Sequence, residues 1–551
     1  MKFLADGNDF SFGVLMSFRR AGRLTALWLL ILLCLSCGQV YRPVVIPCSV
    51  GGGISGCPAE NPPIPGNFHA VFGITANVPK NPAGAVQIDV AGDTILAETP
   101  TSDTSAPNLG DNPTHAAITP NMSKIFVASA GSVLAGGMDI VSSITPVFQF
   151  SASTGFGPVT TTILPTGSQP VFLNSTQSTA MYVANFGTNS VSAIDANTNA
   201  VTNTVTVGTN PIALAETPNG LKLYVANQGT NQASSSVSSL NTIDLSSNLV
   251  IGFTGTNPVW AVARGDSQKV YILTQGDGQL VTIDTATDTV TSALPVGIGA
   301  NFISYDPHLN RLYVTNPVTG TVYVFSDTGG LSTAGVPNDT PVQLAAISFP
   351  LSSSPCSVAG CSPVAPTSVT ALPDGSRFYV ASYQTATACP DLVIGASSPC
   401  VVPTVAVFDA NSLALKSTLT LLTWAPPCTP NQTNPCATGP FATSQYAVPP
   451  VSTCASPVFP ALYSPASNPP TTRFRVFTTS SSDSTRVYVS MCDAGAIAVI
   501  NTTNSNIDNT GGSGTPADTV VTDLPAAFSA GAIQPNGLPP NQNPIFMLSG
   551  Q

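Results

Sequence analysis

Charge is what this chain has least of. Only 8% of its 551 residues are Asp, Glu, Lys or Arg, against about 25% in an ordinary soluble protein. The surface must therefore be built from Ser, Thr, Asn and Gly. Basic residues are scarcest, 16 Lys plus Arg against 27 Asp plus Glu, for a net charge of −11. That excludes a nucleic-acid partner, whose phosphates demand a basic face, and a polybasic membrane-surface segment. It also argues against a multiply anionic substrate. After residue 36 no apolar run approaches the ~20 residues of a membrane helix. Intrinsic disorder is excluded from the other side, since 43% hydrophobic residues suffice for a large core.

Catalytic constellations are equally scarce. The 3 histidines, His69, His115 and His308, lie far apart and form no metal pair. His69 precedes the first strand, His115 begins an inner strand and His308 sits in a Pro-His-Leu-Asn turn, so each reads as structural. There is no nucleophile elbow, phosphate-binding loop, dinucleotide fingerprint or haem-attachment motif. The expectation is a protein that is not an enzyme and carries no cofactor or metal.

What is present begins with an export address. Arg19, Arg20 and Arg23 precede an apolar run from Leu24 to Leu35, then Ser36-Cys37-Gly38. A basic segment, a short apolar segment and small residues before a cut make a secretory signal. Met16 is a more natural start than Met1. Leu35-Ser36-Cys37-Gly38 resembles the lipobox of bacterial lipoproteins, although Leu35 stands one position late. The resemblance implies lipidation at Cys37 and a place in the cell envelope, with the lipid as the sole membrane contact. Residues 38–67 are Pro/Gly-rich and read as a tether.

Ten further cysteines fall into near neighbours, which suits an oxidising compartment: Cys48/Cys57, Cys356/Cys361, Cys389/Cys400, Cys428/Cys436 and Cys454/Cys492. Connectivity does not follow from sequence, so the pairing is a proposal. Zinc is the rival, but no Cys-x-x-Cys exists and no His lies near.

A repeat organises the rest. Met181-Tyr182-Val183-Ala184-Asn185 recurs as Leu223–Asn227, Val270–Thr274 and Leu312–Asn316, with aromatic spacings of 42, 47 and 42 residues. Weaker copies stand at Phe126, Tyr379, Tyr488 and Phe546. Around each copy, alternating β-branched runs are punctuated by turns such as Pro218-Asn219-Gly220 and Asp195-Ala196-Asn197-Thr198-Asn199, giving about four strands per repeat. Asp195, Asp244, Asp284, Asp409 and Asn501 end third strands, where a short polar side chain can accept backbone N–H bonds and start the turn. Four strands in 40–45 residues is the period of a β-propeller blade.

Tyr313-Val314-Thr315-Asn316 is the signature of the YVTN family of β-propeller repeat proteins of bacterial and archaeal envelopes, and the chain resembles that family most strongly over 165–325. The expected fold is all-β: a single closed propeller over 68–551, eight blades by repeat count with seven as the alternative. An open ring would expose two sheet edges. The closing blade is therefore expected to be shared, with Ala526–Gln534 and Pro544–Leu548 as its inner strands and Ala85–Val90 and Thr94–Glu98 as its outer ones.

Long insertions, chiefly 326–362, 383–403 and 423–472, are assigned to the face carrying the loops between strands two and three and between successive blades. Most of the cysteine pairs touch that face. The candidates for a binding face there are Phe186, Asn189, Asn227, Gln228, Gln275, Asp277, Asn316, Tyr383 and Asp493, with Trp424 in an insertion, where it can also pack a lid, and Trp260 on an inner strand, where a core role is the stronger reading. Aromatic platforms with amide donors suit carbohydrate or peptide contacts. The reading is an exported binding scaffold for an unidentified protein, peptide or glycan. Its rivals are a lactonase- or dehydrogenase-like propeller enzyme and a self-assembling surface-layer component.

Overall fold

The computed structural model describes residues 70–549 except 77–83, 91–92, 99–109, 111–112, 133–136, 147–155, 158, 178, 231–233, 246–248, 253–254, 328–339, 352–360, 388–399, 422–453, 455–474, 504–515 and 526–542. The segments assigned to export and tethering, with Cys37, Cys48, Cys57 and His69, lie outside the described residues. So do Cys356, Cys389, Cys428, Cys436, Trp424 and the side chain of Cys400. Among the described residues, no helix is long and apolar enough to cross a membrane.

The described residues form eight four-stranded antiparallel sheets. Each inner strand packs against the inner strands of both neighbouring sheets, and the last, Asn543–Ser549, meets the first, Pro113–Ile118. The ring is closed, an eight-bladed β-propeller. Blade 1 is the shared one and blades 2 to 8 follow in chain order. The repeating aromatics, Phe126, Tyr182, Tyr224, Tyr271, Tyr313, Tyr379 and Tyr488, lie on second strands, where they are buried between blades.

Blade 1 departs from expectation. Asn543–Ser549 is its innermost strand and pairs with Ala70–Ala76, which pairs with Gly84–Asp89, which pairs with Thr94–Glu98. The C-terminal region thus contributes one described strand, and three come from the other end. The second-strand aromatic is Phe72 instead of Phe546. Both segments carry the same short apolar pattern, and pairing alone distinguishes them. Ala526–Gln534 lies outside the described residues.

The face assignment also needs correction. Strand Val342–Ser348 is the fourth strand of blade 6 and lies within the supposed insertion 326–362. The connection before it therefore joins strands three and four, on the face expected to keep tight turns. The third-to-fourth connections of blades 2 and 8 are long as well. Conversely, the inner strand of blade 1 begins at Asn543, so Leu538–Asn543 is not the expected turn between strands one and two; 526–542 lies outside the described residues. Part of 383–403 is strand: Arg377–Ala386 and Cys400–Asp409 pair along their whole length, from Arg377↔Asp409 to Ala386↔Cys400.

The turn chemistry follows the aspartates. Asp195 Oδ1 accepts from the Asn197 and Thr198 amides at 2.9 and 2.7 Å, and Asp284 and Asp409 repeat the arrangement. In blade 4 the strand ends at Asn241, whose Oδ1 accepts from the Ile243 amide, so Asn241 holds the place expected of Asp244. Asn501 is drawn toward Arg486, which donates to its Oδ1 at 2.7 Å.

A second recurring contact joins blades. The residue two before the second-strand aromatic is Lys124, Lys222, Lys269, Arg311, Arg377 or Arg486 in six blades. Several of these reach the residue that leads into the fourth strand of the next blade. Lys222 pairs with Asp288 at 2.7 Å, Arg486 with Asp93 at 2.8 Å and Arg377 with Asp518 at 3.3 Å. Lys124 donates to Asn199 Oδ1 at 2.9 Å. Asp93, Asn199, Asp288 and Asp518 all have positive φ, a conformation that Asn and Asp tolerate best among residues with a Cβ.

Candidate functional site

The axis is filled. One position of each inner strand, opposite the residue two beyond the second-strand aromatic, reads His115, Phe172, Ala213, Trp260, Phe302, Ser368, Phe477 and Phe546 from blade 2 round to blade 1. The six rings form a closed circuit. Centroid separations are 4.0 Å for His115–Phe172, 5.2 Å for Phe172–Trp260 and 5.1 Å for Trp260–Phe302. They continue at 5.7 Å for Phe302–Phe477, 4.7 Å for Phe477–Phe546 and 4.6 Å for Phe546–His115. Small Ala213 and Ser368 let the circuit bridge blades 4 and 7. The plug is buried, and its residues lie within three residues of the mouth end of each inner strand.

His115 belongs to this plug. The Leu173 amide donates to its Nδ1 at 3.2 Å, which places the ring proton on Nε2. Nε2 has no hydrogen-bond partner. Burial pushes its pKa down to about 3, because a charged imidazolium has nothing to solvate it among the rings.

Above the plug lie the mouth residues, which separate into three kinds. Phe186 and Asn227 are structural. Phe186 is buried in the core, and the Asn227 amide donates to Ser236 and Ser238 on the adjoining strand. Asn316 is fully engaged: Nδ2 donates to the carbonyls of Val296, Gly297 and Ile298, and Oδ1 accepts from Val318 and Thr319. An amide has two donors and one two-lone-pair oxygen, so Asn316 has little left for a ligand. Asn189 and Asp277 serve turns, accepting from the Asn210 and Thr256 amides.

The second kind is an amide patch at blades 4 and 5. Ser235 Oγ donates to the Gln228 carbonyl and accepts from the Asn257 amide, and Asn257 Nδ2 reaches Gln275 Oε1 at 3.4 Å. Gln228 is 4% exposed, yet neither Nε2 nor Oε1 has a partner. An unsatisfied buried polar group costs about 1–3 kcal/mol.

The third kind unites Tyr383 and Asp493 through Arg475, which sequence reasoning missed. Arg475 Nε lies 2.8 Å from Asp493 Oδ2, and its guanidinium sits 5.2 Å over the Tyr383 ring. Burial raises the Tyr383 phenol above its ordinary pKa, opposed by Arg475. Cys492, beside Asp493, is joined to Cys454, so one proposed disulfide is present; Cys361 is disulfide-bonded too. Arg475 stands immediately before an inner strand, in a chain with 16 basic residues. Its place at the edge of a strand, with Arg473 close before it in so weakly basic a chain, was the available signal. Among the described residues, no group of three His, Cys, Asp or Glu is placed to hold a metal.

No protein-family model matches the chain, and no curated protein matches it. Solved structures do resemble it. The periplasmic gluconolactonase PpgL of Pseudomonas aeruginosa is 10% identical with a TM-score of 0.44, covering 88% of this chain and 99% of its own. The hydrazine synthase of Kuenenia stuttgartiensis is 15% identical with a TM-score of 0.38, covering 65% of this chain and 87% of its own. The β-propeller domain of Cps50 (Swd1) from Myceliophteria thermophila is 10% identical with a TM-score of 0.40, covering 57% and 89%. Likeness at this level concerns the fold alone.

Proposed function

We propose that this protein is a non-enzymatic binding scaffold of the cell envelope, exported, lipidated at Cys37, and taking an amide- or hydroxyl-rich ligand at the mouth. The observation that carries the reading is Gln228, which holds a donor and an acceptor side by side, buried and unmatched by the protein. A peptide unit or a pair of sugar hydroxyls offers the complement. The plug supplies an apolar floor, and Arg475, held by Asp493 and Tyr383, supplies the one cation in this group of residues.

The test is an array of peptides and glycans probed with the mature protein and with Gln228→Leu. The substitution removes both unmatched groups at similar volume. It should abolish the interaction while leaving stability equal or raised by about 1–3 kcal/mol, the cost of the unpaired amide. Binding that survives Gln228→Leu overturns this reading of the mouth.

A further inference from the structure

The contact that joins blades is absent between blades 3 and 4, and both halves are missing together. The cation position of blade 3 is Ala180, and the facing position of blade 4 is Leu245. Leu245 sits at φ 53°, in the conformation that Asp93, Asn199, Asp288 and Asp518 adopt elsewhere. In the adjacent seam the ammonium of Lys222 bonds Asp288 and the Thr285 carbonyl, both at 2.7 Å, and the Tyr224 hydroxyl closes the group on Asp288. Between blades 3 and 4 the equivalent hydroxyl, Tyr182, turns to the Thr242 carbonyl at 3.3 Å.

The space so vacated is a cavity of about 480 Å³ on the face opposite the mouth, lined by Ala180, Tyr182, Ala193, Glu216, Ile243 and Leu245 among others. Glu216 is the last residue of the blade 4 inner strand and pairs with Leu223; the blade 6 inner strand ends in a buried acid too, Asp306, but one position further on, opposite Arg311. Glu216 is 2% exposed. Its Oε2 accepts from the Thr176 amide at 2.5 Å, but its Oε1 has no partner. The seam that lost its cation thus gained a buried carboxyl with an unpartnered oxygen.

We propose that this seam binds a primary alkylammonium group, whose nitrogen lies against Glu216 Oε1 and the Tyr182 hydroxyl and whose stem lies along Ala180, Ala193 and Leu245. The bound group stands where a lysine of the protein itself stands in the neighbouring seam. Burial holds the Glu216 carboxyl above its ordinary pKa, against the pull of the Thr176 and Gln177 amides, and an adjacent ammonium would bring it back down. Ile243, 83% exposed at the turn beside the cavity, offers an apolar contact for whatever carries the amine. This site is separate from the mouth, and its failure would leave the reading of the mouth untouched.

The experiment is calorimetric titration of the full chain with n-butylammonium chloride, with n-butanol as the neutral control. Saturable binding of the ammonium at one site per chain is expected, and none of the alcohol. Glu216→Gln, which keeps the shape, should weaken binding at least tenfold with an unchanged circular dichroism spectrum. Ala180→Lys should weaken it at least as much, because the grafted lysine fills the site, and its thermal midpoint should not fall. An acetylated lysine amide that outcompetes cadaverine identifies a protein side chain as the source, and the reverse order identifies a free diamine. Absence of saturable binding, equal binding of the alcohol, or undiminished binding by folded Ala180→Lys would overturn the proposal.

Discussion

Ending the chain at residue 542 removes one strand and tests whether the ring depends on its closure. Asn543–Ser549 buries Ile545, Phe546, Met547 and Leu548, each at most 8% exposed. At roughly 1.5–3 kcal/mol per buried apolar side chain, these four contribute about 6–12 kcal/mol, an upper estimate because the unfolded chain already buries some of that surface. That is comparable with the whole net stability of a typical protein, about 5–15 kcal/mol. The deletion also strips the pairing edge of Ala70–Ala76 and breaks the aromatic circuit at Phe546. Urea unfolding followed by tryptophan fluorescence is the assay, since Trp260 lies within 5.2 Å of Phe172 and Phe302 and reports on the plug. The truncated chain should show a broad transition at low urea and bind a hydrophobic dye. Phe546→Ala should keep a cooperative transition but lose about 3–5 kcal/mol. An unchanged midpoint for the truncation would mean that the closing strand does not hold the ring, and the reasoning would fail.

Arg486→Met should destabilise by about 2–3 kcal/mol, less than for a fully buried pair, because Asp93, 13% exposed, then loses its partner; adding Asp93→Leu should recover much of that loss in a double-mutant cycle, and strict additivity would deny the coupling. His115 titrates at about 3 when folded but near 6.5 when unfolded, so the unfolded state takes up the proton first and stability falls as pH drops below about 6.5. Between pH 6 and 4 this amounts to about 2–3 kcal/mol, and denaturation of His115→Phe across that range should lose this part of the slope. Reduction, or Cys454→Ser, opens a loop whose ends are 38 residues apart and should lower stability by about 4 kcal/mol on the chain-entropy account; identical melting with and without reductant would contradict it.

The propeller was legible because its signal is repeated. Alternating strands with Tyr182, Tyr224, Tyr271 and Tyr313 in register, and turns led by Asp195 and Asp284, state the same local structure several times over. Blade 1 was misread for the complementary reason. Ala70–Ala76 and Asn543–Ser549 carry the same apolar pattern, and which is inner depends on a pairing across the whole chain that no local pattern encodes. The site was less legible still. Polar residue type placed Gln228, Gln275 and Asn316 alike, whereas hydrogen bonding separates them: Asn316 is consumed by five backbone groups and Gln228 by none. The plug was hidden because His115, Phe172 and Phe477 belong to different repeats and meet only round the axis. Arg475, Tyr383 and Asp493 likewise come from three separate segments.

The single long-distance partnership in blade 1 sets a schedule for folding. Neighbouring strands elsewhere are close in sequence and can zip as soon as they exist, but Ala70–Ala76 waits for Asn543–Ser549. Contacts of such separation are slow to form, because the loop they close is large. Until that late arrival the nascent molecule is a curved stack with a bare margin at each end, vulnerable to pairing with another copy.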